Sequence, residues 1–217
     1  MAFGGGGDFA LFAQGERAWI AYGSWDNGYR TGGIHAFFPP ELNAGHQIAV
    51  QPLNAAFTGV DSSVVPRTVT GPDQEAPTLF SHGGLFYLLH GDVCCFCPQG
   101  SDAKIQVASD PMGNWTAVGN LNPHGPARIR AQSNAVIEIR QPDGSSRLIW
   151  TADLWHGARN GEKGSDFQFW TPLTFEEREV EGRLIATPTS VQWVDHFDVE
   201  IDSSPSTEQC DSAAGGS

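Results

Sequence analysis

One pattern recurs along this chain and limits what it can fold into. A polar head residue leads a short apolar run, a glycine turn and a dense apolar return. The fullest copy is Glu75-Ala76-Pro77-Thr78-Leu79-Phe80-Ser81-His82-Gly83-Gly84-Leu85-Phe86-Tyr87-Leu88-Leu89-His90-Gly91. Paired glycines between two apolar runs are a hairpin signal. Pro77 has no N–H to give to a ladder, so it belongs among a strand's first residues and fixes the backbone beside the carboxylate. An earlier copy runs from Asp8 through Leu11-Phe12 and Gly15 to Tyr22-Gly23. A looser third copy runs from Gln132 through the turn Pro142-Asp143-Gly144 to Leu148-Ile149-Trp150.

The heads Asp8, Glu75 and Gln132 are 67 and 57 residues apart (75 − 8 and 132 − 75). A repeat of roughly 40–50 residues or more, with several strands per unit, is the mark of a β-propeller. Blades there are radial, and each innermost strand starts near the central channel. One head residue per blade is therefore expected to converge on a common pocket.

The rest of the composition agrees with many short strands. The chain has 217 residues, with 26 Gly and 14 Pro, a turn-rich usage that suits an all-β fold better than a helical one. Formal net charge is −13 and only 12 residues are Lys or Arg, without a cluster, so nucleic acid and anionic membranes are poor partners. No apolar run approaches the roughly 20 residues of a membrane span. The opening Met1 to Gly7 shows neither the basic nor the apolar region of a signal peptide.

Strands are predicted near 10–12, 18–23, 33–38 and 47–50 in a first blade, 8–53. A loop of Gly, Pro, Asp and Ser follows at 54–74. The second blade, 75–118, carries strands near 78–80, 85–90, 103–109 and 115–118. The third, from 132 to about 175, carries strands near 135–140, 147–152 and 167–170. The charged stretch Phe175 to Val180 reads equally as a short helix or a loop. The alternation from Thr189 to Ile201 predicts a half-exposed strand. Residues 1–202 form the expected partial propeller, and 203–217, without aromatics, an expected disordered tail. Three blades do not close a propeller, whose minimum is about four, so the chain is expected to be the later portion of a longer one.

These residues resemble glycoside hydrolase family 43, nearest the branch that contains exo-β-1,3-galactanases. The resemblance rests on Asp8-Phe9-Ala10-Leu11-Phe12, Glu75-Ala76-Pro77, Ala131-Gln132-Ser133-Asn134, Asp153-Leu154-Trp155 and Phe169-Trp170-Thr171-Pro172-Leu173, in this order. It covers most of residues 8–175. It implies a five-bladed propeller, here incomplete, of inverting glycosidases acting on galactose- or arabinose-containing glycans, without a cofactor. It implies secretion as well. Glu75 would be the general acid, Asp8 the carboxylate that orients it and tunes its pKa, and Gln132 the group that holds the nucleophilic water. The chain departs from the branch at Gly7, where Arg precedes the aspartate, and at Leu154, where Arg stands between Asp and Trp. The family's first blade and its carboxylate have no counterpart.

Inversion needs a protonated acid on the leaving oxygen and an activated water on the opposite face, with about 6.5–9.5 Å between the carboxyls. A glutamine cannot act as a base, so Gln132 can only position water or hydroxyls. Each head also has a bland reading: Glu75 as a strand-start ion pair, Asp8 as a turn residue after four glycines. Sugars favour flat aromatic faces beside hydrogen-bonding groups. Trp25, Trp155 and Trp170 are the candidate platforms, with Asp153 and Asp166 as hydroxyl acceptors, although each also suits packing. His90, ending an apolar strand, reads as polar packing, and no His-Glu-x-x-His spacing marks a metal site. Of the four cysteines, Cys94, Cys95 and Cys97 cluster and Cys210 lies in the tail. Buried thiols with one disulfide fit better than zinc, which needs a second ligand pair at defined spacing. Three function classes remain open: a glycosidase, a sugar-binding propeller that has lost turnover, and an interaction scaffold.

Overall fold

The computed structural model describes residues 8–25, 46–94 and 97–201. The predicted strand at 33–38, the lead-in 1–7, the tail 203–217, Cys95 and Cys210 lie outside the described residues.

Thirteen strands are described, in three sheets and a hairpin. Sheet A orders β1 (Phe9–Gln14), β2 (Arg17–Trp25), β3 (His46–Pro52) and β4 (Arg67–Thr68). Sheet B orders β5 (Gln74–His82), β6 (Leu85–Asp92), β7 (Lys104–Ala108) and β8 (Thr116–Asn120). Sheet C holds β9 (Gln132–Arg140), β10 (Ser146–Leu154) and β11 (Phe167–Pro172), with β10 in the middle. The separate hairpin is β12 (Phe175–Val180) with β13 (Arg183–Pro188). Every named pairing is antiparallel between chain neighbours, the meander of a propeller blade.

The Gly83-Gly84 turn closes β5 on β6, pairing His82 with Leu85. Both glycines have positive φ, 58° and 79°, as a tight two-residue turn of this hand requires.

Sheet B is the middle blade, and its inner strands read as continuous apolar runs because both faces are covered. Leu79 and Leu88 point to sheet A and pack with Trp19, Ala21, Ile48 and Val50. Their neighbours Phe80, Tyr87 and Leu89 point the other way and pack with Leu148, Trp150 and Phe169 of sheet C. The period of two in a strand thus sends one sequence into two cores.

Three expectations are corrected. The first blade does not end at residue 53: β4, within the stretch read as a loop, pairs Thr68 with Ala49 and Arg67 with Val50 as the outer strand. Phe175–Val180 is neither helix nor loop but β12, and Glu181-Gly182 turns it onto β13 with both residues at positive φ. The stretch Thr189 to Ile201 is no strand. Its alternation has no ladder to join. Instead Val191 donates its N–H to the Leu121 carbonyl, and Val191 and Val194 pack on the core between sheets B and C.

Candidate active site

The innermost strands β1, β5 and β9 lead the three sheets, and their first residues meet at one end. Thr78 of β5 bonds across to Ser133 Oγ at 3.1 Å and to the Asn134 carbonyl at 3.2 Å, which fixes sheets B and C side by side. Between sheets A and B the link is the head residue itself: Ala76 N–H donates to Asp8 Oδ2 at 3.0 Å.

That link exists because β5 is irregular. Its register with β6 shifts between Glu75 and Thr78, and Ala76 has φ of 54°. A non-glycine residue in this region is strained, and such bulges re-aim side chains beside functional sites. Pro77 offers no N–H for the interrupted ladder, while the freed Ala76 N–H is satisfied by Asp8. Opposite Glu75 stands Gly91, where a Cβ would come within 2.9 Å of the Asp102 carbonyl and 3.0 Å of the Gly100 carbonyl. The strand facing Glu75 therefore has room for glycine alone at this position.

Glu75 Oε1 accepts from Gln132 Nε2 at 2.8 Å, and Gln132 Oε1 accepts from the Trp155 indole N–H at 3.0 Å. Burial first and then the nearby Asp8 charge, opposed by the Gln132 amide and the Cys94 N–H, together push the Glu75 carboxyl up to about 7. Cys94 is joined to Cys97 by a disulfide, one of the pairings the cysteine cluster allowed.

Around these residues opens a cavity of about 310 Å³, lined among others by Asp8, Pro77, Gln132, Asn134, Asp153 and Trp155. Glu75 stands one hydrogen bond behind this lining, on Gln132. A larger cavity, about 390 Å³, lies between Val107–Thr116 and the β12–β13 hairpin and contains none of the three heads. The heads Asp8 and Gln132 line the smaller cavity of the two.

The remaining candidates separate. Asp153 lines the cavity, where its Oδ1 accepts from Asn134 at 3.3 Å and Gln168 at 3.0 Å. Trp170 is half-exposed on β11 and joins this group only at its edge, its indole N–H donating to Gln168 at 3.2 Å. Asp166 is not in the lining. It accepts the His156 and Ala158 backbone N–H groups, both at 3.1 Å, and so ties the ends of the loop after β10. Those two N–H bonds, Ala158 first, hold its carboxyl below the usual range, with the Lys163 charge adding to them. Trp25 ends β2, and its side chain lies outside the described residues. His90 is buried between Gln74 Oε1 at 2.8 Å and Gln106 Nε2 at 3.2 Å, away from the cavity lining.

Sequence reading missed Asn134 and Gln168 as partners of Asp153. Asn134 had a signal, since it stands in the Gln-Ser-Asn run. Gln168 had none, because only the register Asp153↔Gln168 brings it close.

No protein-family model and no curated protein matches the sequence. Solved structures do match the fold. A β-1,3-galactosidase of glycoside hydrolase family 43, solved with galactodeoxynojirimycin, is 17% identical at a TM-score of 0.58 over 88% of this chain and 46% of its own. The exo-β-1,3-galactanase of Phanerochaete chrysosporium, solved with galactose, is 21% identical at a TM-score of 0.54, over 85% of this chain and 35% of its own. An arabinoxylan arabinofuranohydrolase of the same family from Bacillus subtilis is 17% identical at a TM-score of 0.53, over 88% and 39%. The chain thus has the all-β propeller fold of glycoside hydrolase family 43, and it spans less than half the length of these three structures.

Proposed function

We propose that this chain carries a glycosidase site for galactose- or arabinose-containing glycans, with Glu75 as the general acid of an inverting hydrolysis. The observation that carries the proposal is the meeting of three strand heads from three sheets: Asp8 on the Ala76 N–H, Glu75 beside it, and Gln132 on Glu75. A carboxyl titrating at about 7 is half protonated at neutral pH, which suits proton donation to a leaving oxygen. Burial raises it most, and Asp8 adds to this because a second negative charge nearby disfavours ionisation. Gln132 orients the attacking water or a sugar hydroxyl but cannot take the water's proton, which passes to solvent as the water adds to the sugar. Asp153 accepts a hydroxyl from the cavity side. The fold shared with galactosidases and galactanases supports the substrate class.

The test is direct. The chain is incubated with β-1,3-galactan and with aryl galactosides and arabinosides, and reducing-end release is followed against pH. Turnover should fall as pH rises through about 7, where Glu75 loses its proton. Glu75→Gln should lower it by roughly 100-fold or more. Galactan binding without turnover would leave a carbohydrate-binding propeller, and neither binding nor turnover would sink the proposal.

A further inference from the structure

We propose that Trp155 is a positioning residue: its indole N–H fixes which way the Gln132 amide faces, and so which atom Gln132 presents to Glu75. This deepens the reading of Glu75 as an acid and rests on it.

An amide side chain has a donor end and an acceptor end of nearly equal shape. Which end meets Glu75 decides what Gln132 does to the carboxyl. With Nε2 inward it donates, and stabilises the carboxylate. With Oε1 inward it accepts, and stabilises the protonated acid. Glu75 alone does not choose, since its protonated form can satisfy either end. The indole N–H can choose, because it only donates. It takes Gln132 Oε1 at 3.0 Å, leaving Nε2 to reach Glu75 Oε1 at 2.8 Å.

The chain is built to hold this contact. Gln132 is buried and opens β9; its register partner Asp153 lies near the end of β10, two residues before Trp155. The loop that follows is pinned by Asp166 on the His156 and Ala158 N–H groups. Lys163 from the same loop lays its ammonium 3.4 Å from the Trp155 ring centroid, a cation–π contact that occupies one face of the indole. An indole with one face covered and its N–H committed is better suited to holding Gln132 than to serving as an open sugar platform.

Trp155→Phe tests this, because it keeps an aromatic ring and removes the N–H. The measurement is the titration of the Glu75 carboxyl by carbon NMR, assigned by its absence in Glu75→Gln, together with galactose affinity. In Trp155→Phe the amide is released and the Glu75 titration should move upward by about half a unit or more. An unmoved titration would overturn the proposal, whether affinity holds or falls; a fall would make Trp155 a sugar platform instead. Gln132→Met gives a second reading in the otherwise native chain: the Trp155 indole N–H resonance should move upfield and exchange faster with solvent. An unchanged indole signal there would overturn the proposal as well. Both readouts are independent of turnover, so a chain that hydrolyses nothing can still show the positioning role.

Discussion

Sheets A and B open with nearly the same sequence pattern and end in different environments. Phe9 and Leu11 on β1 are 63% and 60% exposed, whereas Leu79 and Phe80 on β5 are buried. Intrinsic strand preference does not separate them. Position does: β5 lies between two sheets, and β1 has a described neighbour on one face only. The heads differ in the same way. Asp8 is exposed, while Glu75 is withdrawn far enough from water for its carboxyl to rise to about 7. The chemistry of a repeat's polar residue is thus set by where the repeat falls in the arc.

The comparison can be broken most sharply by deleting equivalent leucines. Leu88→Ala leaves a cavity between sheets A and B, since Leu88 is fully buried. It should cost about 2–5 kcal/mol in urea unfolding. Leu11→Ala should change stability by about 0.5 kcal/mol at most, as exposed substitutions do. Similar losses from both would mean that the exposed face of β1 is covered in solution.

The next effect concerns the heads. Glu75 has a folded pKa near 7, above the ordinary 4.5, so its destabilising charge is absent below about 4.5 and stability is lost as pH rises toward 7. Glu75→Gln should therefore stabilise the fold at pH 8 by an amount on the order of 2 kcal/mol, allowing for solvent at the site, and by almost nothing at pH 4. Asp8→Asn should lower the Glu75 titration by removing the neighbouring charge. A gain at pH 4 equal to that at pH 8 would show that the change acts through packing rather than charge.

His90, paired across β5 and β6 with Gln74, gives the opposite slope. Burial, then the Lys104 charge, depresses it to about 4, against the ordinary 6.5. Its contribution is present above 6.5 and lost as pH falls toward 4, because the unfolded chain binds the proton first. The two windows overlap from about 4.5 to 6.5, where the slopes oppose each other. Unfolding midpoints measured from pH 4 to 8 should therefore show a broad maximum there, and His90→Gln should remove the rise on its acid side. An acid limb that survives His90→Gln would assign it to other groups.

Much of this was legible in the residues. Gly83-Gly84, Gly15 and Pro142-Asp143-Gly144 mark three hairpins, and the polar residue before each apolar run marks the end at which the sheets converge. What escaped was set by partners distant in sequence. In Phe175–Val180 four charged residues hide the period of two, because both faces of that strand are largely exposed. The link from Trp155 through Gln132 to Glu75 depends on side-chain directions at three separate strand ends. The positive φ of Ala76 is invisible in a residue type that rarely adopts it.

At the far end of the arc the contrast with β1 is smallest in energy but still measurable. There the stretch Thr189 to Ile201, strand-like in sequence, closes over sheet C without joining it. Trp193 stacks on Phe169 with ring centroids 4.9 Å apart. Further on, main-chain carbonyls are held by side chains: Asp198 by Arg147 and Glu200 by Gln141, both at 2.6 Å. Side-chain donors replace a ladder here because the backbone N–H groups of 192–201 donate to no main-chain carbonyl among the described residues. Exposed bonds of this kind contribute little, so Arg147→Ala should cost about 0.5 kcal/mol. Hydrogen exchange should reveal more than unfolding does. The Val191 amide, bonded to Leu121, should be protected, and those of 192–201 should exchange quickly in the native chain, with 196–201 faster still in Arg147→Ala. Slow exchange throughout 192–201 would mean that this stretch pairs as a strand in solution, as its alternation first implied.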